Sequence, residues 1–242
     1  ISLTDWYSAA ESFFAVNRVP YTRMPIGRLL EQLSTGQESG PITVMLYTED
    51  VPLVRAQTDL VEWSSPAMRL AVDRLGYSLY TIPDAGRVRK PPFVVKEDAL
   101  SAARVQRAQA SFGDQFTLVG YRFSHTSAQR GDQITVNVFW QVSRPISETF
   151  TGFVHLAKKD GRPVAQDDHE LGRGLYRTFL WRPDEIIRER YVLNLPRDMP
   201  PGEYRLYTGV YLLPSLARLP AYSTSQPVQA DVVVLDSFQV TP

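Results

Sequence analysis

The sequence contains no cysteine among its 242 residues. A protein without thiols forms no disulfide bond, no thiolate metal site and no cysteine nucleophile. This absence fits a cytoplasmic protein, and it fits equally an extracytoplasmic one that does not depend on disulfides. Histidine is also scarce, with three residues in all, and two of them, His155 and His169, lie in one stretch of the chain.

The sequence also has no net charge and no long apolar run. It contains 26 basic and 26 acidic residues, with 12 of each in 1–112 and 14 of each in 113–242. Nucleic-acid binders usually carry a basic excess, so we expect no nucleic-acid partner. No segment approaches the roughly 18 apolar residues of a membrane-spanning helix, and no signal peptide is recognisable. Because the chain starts at Ile1 in mid-pattern, we expect a fragment of a longer protein.

The first half of the chain predicts a small α/β domain over residues 1–95. It opens with an aromatic-rich leader segment, 1–23, which either docks on this domain or lies beside a membrane. Apolar spacing and punctuation by Pro and Gly predict helices over 25–34, 52–62 and 65–76. Short apolar runs predict strands over 42–47 and 77–82. The alternation of helix and strand implies at least two parallel strands.

The second half predicts an antiparallel β-sandwich over residues 115–242, jelly-roll or immunoglobulin-like. Apolar and polar residues alternate with a period of two, as in half-buried strands, and turn signals separate the segments. The predicted strands are 115–123, 133–142, 150–157, 186–195, 203–213 and 230–240. The Ala- and Gln-rich segment between the two domains, 96–114, is predicted to be a linker or bridging helix. The fold class is therefore α+β, with two domains.

The stretch Phe150–Trp181 concentrates the residues that could hold a metal ion. Asp160, Asp167 and Asp168 are candidate ligands of a structural calcium ion, which prefers oxygen donors. His155 and His169 are the alternative ligands, for a transition metal. No HExxH or similar spacing is present, and hydrogen bonds within a surface loop explain the same residues without any metal.

Paired carboxylates would indicate a carbohydrate-active enzyme. Asp167 and Asp168 are adjacent, so within a strand they point in opposite directions and make poor catalytic partners. Asp168 with Glu170 or Glu185 remains as a candidate pair. No nucleophile motif of the Gly-x-Ser-x-Gly type supports a serine hydrolase.

Carbohydrate binding fits the same stretch better. Sugars are held by aromatic faces flanked by carboxylate, amide and guanidinium groups, and this stretch supplies each of them. The candidate sugar-binding residues are Gln166, Asp168, Tyr176, Arg177 and Trp181. The competing interpretation places the aromatic residues in the core, where aromatics of strands usually lie.

The order of several short motifs in the second half resembles a known family. The motifs are GFVHL at 152–156, KDG at 159–161, VAQDD at 164–168, RPDE at 182–185, LNLPRDMPPGEYRLYTGVY at 193–211 and RLP at 218–220. Their order is similar to the C-terminal extracytoplasmic part of polytopic bacterial glycosyltransferases, as in the Chloroflexi. These resemble the protein mannosyltransferase and lipid-linked-sugar transferase class. Asp184 departs from the pattern, which has glycine there.

The resemblance implies a non-catalytic role for this chain. In that class the catalytic acid and the lipid-phosphate site belong to the membrane part, so this region would be an accessory domain on the extracytoplasmic face of the membrane. Its expected partners are the membrane domain of the same parent chain and a glycan or glycosylation acceptor. No cofactor is expected beyond the calcium ion considered above. The alternatives are a free-standing carbohydrate-active enzyme and a structural protein-interaction module.

Overall fold

The protein is described by a computed structural model covering residues 29, 32–33, 40–47, 51–62, 77–84, 90–158, 162–174 and 176–242. The chain divides into two compact units, Ile1–Arg89 and Lys90–Pro242. The aromatic leader and the helix predicted at 65–76 lie outside the described residues. Of the helix predicted at 25–34, Leu29, Gln32 and Leu33 are described, and all three are helical.

The first unit contains a three-stranded sheet and a short helix. Its elements are β1 (Ile42–Tyr47), α1 (Val51–Gln57), β2 (Val61–Glu62) and β3 (Tyr77–Ile82). The central strand, β3, is antiparallel to both neighbours, so the prediction of parallel strands is wrong. The sequence pattern missed β2, which lies between β1 and β3 in the chain. β2 runs in the same direction as β1, and the chain reverses after β2, so β3 runs antiparallel to both.

The second unit is an antiparallel β-sandwich, which confirms the predicted fold class. A helix, α2 (Glu97–Ala102), precedes most of its strands. The strands are β4 (Val94–Val95), β5 (Gln106–Phe112), β6 (Phe116–Phe123), β7 (Ser127–Gln129), β8 (Gln133–Val142), β9 (Phe150–Ala157), β10 (Pro163–Glu170), β11 (Ile186–Asn194), β12 (Gly202–Leu212), β13 (Ala217–Arg218), β14 (Ala221–Ser223), β15 (Val228–Gln229) and β16 (Val232–Thr241).

These strands form two sheets that pack face to face. One sheet has seven strands in the order β10-β9-β12-β16-β15, with β13 beside β12 and β7 beside β16. The other has six strands in the order β14-β5-β6-β8-β11-β4. The pairing of β7 with β16 is parallel, and the other pairs in the described residues are antiparallel. No described helix is long and apolar enough to span a membrane.

The core lies between the two sheets and follows the predicted alternation. On β8 the residues Ile134, Val136, Val138, Trp140 and Val142 are all buried, at 1% exposure or less. The Trp140 ring meets Phe112 and Phe116 edge to face, with centroids 5.3 and 6.5 Å apart. Aromatic pairs favour this geometry because the positive ring edge faces the negative ring face.

The segment predicted as a linker or bridging helix is only partly helical. The helix ends at Ala102, and Gln106–Phe112 forms β5 between β6 and β14. Ala and Gln are good helix formers, so local propensity favoured a longer helix. The alternate residues Ala108, Ala110 and Phe112 are buried, however, and burial against the core outweighs propensity.

Candidate functional site

β10 separates the two adjacent aspartates of the candidate site. It is an edge strand of the seven-stranded sheet and pairs with β9. Because side chains alternate along a strand, Asp167 and Asp168 point to opposite faces, as the sequence predicts. Asp167 reaches β11 of the other sheet, where Oδ2 accepts the Val192 amide at 2.7 Å. Asp168 reaches His155 on the outer face, so the two carboxylates do not meet at one calcium ion.

Asp167 belongs to a polar group between the sheets, which we call the intersheet cluster: Asp167, His169 and Glu189. His169 Nδ1 lies 3.1 Å from Asp167 Oδ1, and Nε2 lies 3.0 Å from Glu189 Oε2. The Glu189 residue is only 2% exposed, and Oε1 also accepts the Gly172 amide at 2.7 Å. Buried polar atoms need such partners, so this cluster is a structural link between sheets.

The intersheet cluster leaves no ring nitrogen of His169 free for a metal ion. Both nitrogens face carboxylate oxygens, and the ring stacks on Tyr191 with a centroid distance of 4.4 Å. His155 lies on the other face of the sheet, so the two histidines predicted as alternative ligands are not brought together. Among the described residues, no group of three His, Asp or Glu side chains could hold a metal ion. Asp160 lies outside the described residues.

Tyr176 and Trp181 are core residues, and the stacking role predicted for them must be corrected. They are 3% and 2% exposed, so neither ring offers a face to a sugar. The Trp181 indole N–H donates to the Tyr176 carbonyl at 2.7 Å, and the Tyr176 hydroxyl donates to Glu185 Oε2 at 2.7 Å. Burial, and then the Glu185 carboxylate, raise the pKa of Tyr176 far above its usual value. The Tyr176 hydroxyl therefore stays protonated at neutral pH.

Glu185 is committed to the same buried network. It is 3% exposed, and Lys90 Nζ lies 2.6 Å from its Oε1. A carboxylate held by a lysine and a tyrosine inside the fold is not available to act with Asp168 on a substrate. Glu170 lies two residues from Asp168 and therefore on the same face of β10, where Arg177 Nε is 3.2 Å from its Oε1.

The outer face of the seven-stranded sheet brings the remaining candidates into register. Three cross-strand rows run over β12, β9 and β10, and they place His155, Gln166, Asp168 and Tyr211 on one surface. We call these four residues the outer-face cluster. The rows are Tyr207–His155–Gln166, Gly209–Phe153–Asp168 and Tyr211–Thr151–Glu170.

Asp168 is the centre of the outer-face cluster. Its Oδ1 lies 2.8 Å from His155 Nε2, which is the diagonal contact expected between neighbouring strands. The residue is exposed, whereas His155 and Tyr211 are half-buried. Burial, followed by the charge of Asp168 and its hydrogen bond, raises the pKa of Tyr211. Because a hydrogen bond joins the two side chains, the Tyr211 hydroxyl lies next to the Asp168 carboxylate.

An aromatic layer supports the outer-face cluster. The Phe153 ring lies 4.3 Å from the His155 ring and 6.0 Å from the Tyr211 ring, measured between centroids. The guanidinium of Arg218 covers Phe153 at 5.4 Å from its centroid. The ring also lies over Gly209, where an added Cβ would stand 2.6 Å from Phe153 Cζ. Glycine at 209 is therefore what allows this ring to lie flat on the sheet.

The structure retains some of the predicted sugar-binding residues and adds one. Gln166 and Asp168 lie on the outer face. Arg177 lies at the edge of this face, where it contacts the Glu170 carboxylate. Sequence reasoning missed Tyr211, because it treated the motif that ends at 211 only as a sign of the family. The period-two series Tyr207, Gly209, Tyr211 in β12 is the signal that would have placed Tyr211 on the same face of the sheet as Asp168, one row away.

No protein-family model matches the sequence, and no curated protein matches it. Among the solved structures that match the chain, we report three, and the similarity of each is weak. The C-terminal domain of wzt is 13% identical, with 62% of this chain and 82% of that chain covered at a TM-score of 0.36. A Niemann-Pick type C2 protein from Japanese carpenter ant is 11% identical, covering 56% and 96% at 0.33. The Pseudomonas fluorescens alkylpurine DNA glycosylase AlkC bound to DNA is 13% identical, covering 56% and 31% at 0.30. Similarity this low carries no argument about function.

Proposed function

We propose that the outer-face cluster binds carbohydrate. The observation that carries the proposal is the position of the Asp168 carboxylate, between His155 and Tyr211 and one row from Gln166, with the Asp168 side chain 24% exposed to solvent. Sugar hydroxyls both donate and accept hydrogen bonds. The cluster matches them with a carboxylate that accepts, an amide that does both and a phenol beside them.

The fixed position of Asp168 favours binding. One carboxylate oxygen is held by His155, while an ionised carboxylate offers about four lone-pair sites in all. The side chain is therefore oriented before a ligand arrives and still has acceptor capacity for sugar hydroxyls. Pre-orientation of this kind lowers the entropy that binding must offset.

We further propose that this chain is a non-catalytic accessory region of a membrane glycosyltransferase-like protein, on the extracytoplasmic face. The support is the ordered series of motifs from GFVHL to RLP, which resembles that class. The role would be to contact a glycan or a glycosylation acceptor near the membrane domain of the same parent chain. The gene that encodes the full-length protein tests the accessory-region proposal. We expect it to encode membrane helices upstream of Ile1, and a gene that encodes no membrane helix would overturn the proposal.

The carbohydrate proposal is tested on a glycan array, followed by calorimetry with the glycans that bind. Asp168→Asn keeps the size of the side chain but removes the charge, and we expect binding at least about tenfold weaker, since hydrogen bonds to charged groups contribute about 1.5–3 kcal/mol. Asp198→Asn is the matched control, because Asp198 is exposed and lies outside the cluster.

Two results would overturn the carbohydrate proposal. One is the absence of any bound glycan on the array with the folded wild-type protein. The other is equal binding by the wild type and the Asp168→Asn variant. Circular dichroism of each variant establishes that it is folded before binding is measured.

A further inference from the structure

A basic cleft lies at the other sheet, away from the outer-face cluster. Its volume is about 420 Å³, and it is open to solvent. Its polar lining includes Arg104, Gln106, Arg122, Ser124, His125 and Thr126. Arg104 lies in the turn after α2, Gln106 begins β5, Arg122 is near the end of β6, and the others belong to the segment that follows β6. The lining thus combines two guanidinium groups, one imidazole and several hydroxyl and amide donors.

The wall of this cleft is held from both sheets. The segment 124–126 leaves β6 in the six-stranded sheet and enters β7, which pairs with β16 of the seven-stranded sheet. Ser124 N donates to the Thr135 carbonyl at 3.0 Å, and the Thr126 carbonyl accepts the Gln239 amide at 3.2 Å. The backbone of this segment is therefore held at both ends, so this wall of the cleft is formed without a ligand.

Arg104 occupies a backbone conformation that its residue type does not favour. Its φ is +51°, in the left-handed region where glycine is usual at the end of a helix. Hydrogen bonds from the Arg104 amide to Ser101 and from the Val105 amide to Leu100, both 3.1 Å, fix this turn after α2. The turn therefore fixes the backbone position from which the Arg104 side chain lines the cleft.

The charges of the cleft have no acidic counterpart in the described part of the chain. Neither Arg104 nor Arg122 has a described carboxylate within ion-pair distance, whereas the nearby Arg107 pairs with Glu97 at 2.5 Å. Both guanidinium groups belong to exposed residues, as does His125. Two unpaired guanidinium groups that line one cleft attract an anion, and their planar N–H donors fit the oxygens of a phosphate group.

We propose that this cleft binds a phosphate group of a ligand, with Arg104 and Arg122 as its cationic contacts. Ser124 and Thr126 supply hydroxyl donors beside them. The proposal is independent of the outer-face cluster, since it uses none of the same residues. The phosphate can belong to a soluble phosphoester or to a lipid headgroup, because both present the same oxygens.

The first test is isothermal titration of the whole chain with inorganic pyrophosphate and with glucose 1-phosphate, with glucose as the uncharged comparison. We expect binding of the two phosphate compounds that weakens as salt is added, because exposed charges are screened. Arg104→Gln and Arg122→Gln are each expected to weaken it about tenfold, as loss of a charge-assisted contact does. Arg144→Gln is the matched control. Arg144 lies far from the cleft. Arg122 pairs with Asn137, and β8 runs on for five more residues, roughly 17 Å, to Val142, which is two residues before Arg144.

A second arm separates the two sources of phosphate. Vesicles of phosphatidylcholine with phosphatidic acid are compared with phosphatidylcholine alone in a sedimentation assay. If the protein sediments with the acidic vesicles but shows no heat of binding with the soluble compounds, the phosphate belongs to a lipid. If the soluble compounds give heat of binding but the protein does not sediment with the vesicles, the phosphate belongs to a soluble ester. Absence of both, or an equal loss of binding in Arg144→Gln, overturns the proposal. Failure here leaves the glycan proposal standing, because Asp168→Asn tests that one separately.

Discussion

The His169 imidazole joins two carboxylates from different sheets, Asp167 at 3.1 Å and Glu189 at 3.0 Å. Asp167 and His169 are on β10, an edge strand whose one strand partner is β9. Glu189 is on β11 of the opposite sheet. The three side chains therefore attach the edge of one sheet to the other, and they hold the strand that carries Asp168.

Removing His169 should destabilise the protein strongly. His169→Ala leaves the buried Glu189 carboxylate with one fewer hydrogen-bond partner, and a hydrogen bond to a charged group contributes about 1.5–3 kcal/mol. We expect an effect of about 2 kcal/mol in urea-induced unfolding, since Glu189 keeps its bond from Gly172. His125→Ala is the control, because His125 is exposed, and it should change stability by less than about 0.5 kcal/mol. Equal effects of the two substitutions would show that the intersheet cluster does not stabilise the fold.

Gly209→Ala should destabilise the outer face by displacing Phe153. The new Cβ would lie 2.6 Å from Phe153 Cζ and 2.8 Å from Cε1, so the ring has to move. Overpacking of this kind costs about 1–3 kcal/mol. Thermal unfolding of the single variant and of Gly209→Ala with Phe153→Leu checks the cause. The shorter leucine should relieve the clash, so the two changes should cost less together than the sum of their separate effects. Additive effects would contradict this explanation.

Much of the sandwich could be predicted because one face of each strand is buried. β8 and β9 begin and end where period-two alternation places them, at Gln133–Val142 and Phe150–Ala157. The opposite directions of Asp167 and Asp168 follow from the same geometry. β5 could not be found in this way, because two of its three buried positions are the small residues Ala108 and Ala110, and Phe112 alone does not make an alternating pattern.

The candidate site was predicted less well because its composition depends on pairing between distant strands. Residues 150–181 and Tyr211 meet only through the register of β9 with β12. Nothing local at Tyr176 or Trp181 distinguishes a buried ring from one on a surface. Both rings pack against residues that are distant in the chain: Tyr176 lies 6.4 Å from Phe93 and Trp181 lies 6.0 Å from Phe116, measured between ring centroids.

Trp181→Ala should act on stability and not selectively on ligand binding. Trp181 is 2% exposed and packs on Phe116 edge to face at 6.0 Å. Truncation of a buried tryptophan costs about 3–5 kcal/mol. Guanidinium-induced unfolding measures this loss directly. Tyr222→Ala is the comparison, since Tyr222 is 67% exposed and should tolerate the change. A stable Trp181→Ala variant would place the ring at the surface and return it to the candidate site.

The stability of the protein should fall at alkaline pH, in part through Tyr121. Its hydroxyl donates to the Leu235 carbonyl at 2.6 Å, and burial, followed by the charge of Asp236, raises its pKa from 10.0 to about 12. A raised folded-state pKa means that the neutral phenol is favoured by folding. Its contribution is complete below pH 10 and is lost as the pH rises from about 10 to about 12. The pKa values of Tyr176 and Tyr191 are raised as well and act in the same direction.

Urea unfolding at several pH values between about 9 and 12 measures this loss for the wild type and for Tyr121→Phe. The variant is less stable at neutral pH because the bond to Leu235 is gone, but its stability should decline less steeply above pH 10, since one titrating group has been removed. Tyr222→Phe removes an exposed phenol and should leave the slope unchanged. Parallel slopes for the wild type and Tyr121→Phe would show that the Tyr121 phenol titrates alike in the folded and unfolded chain.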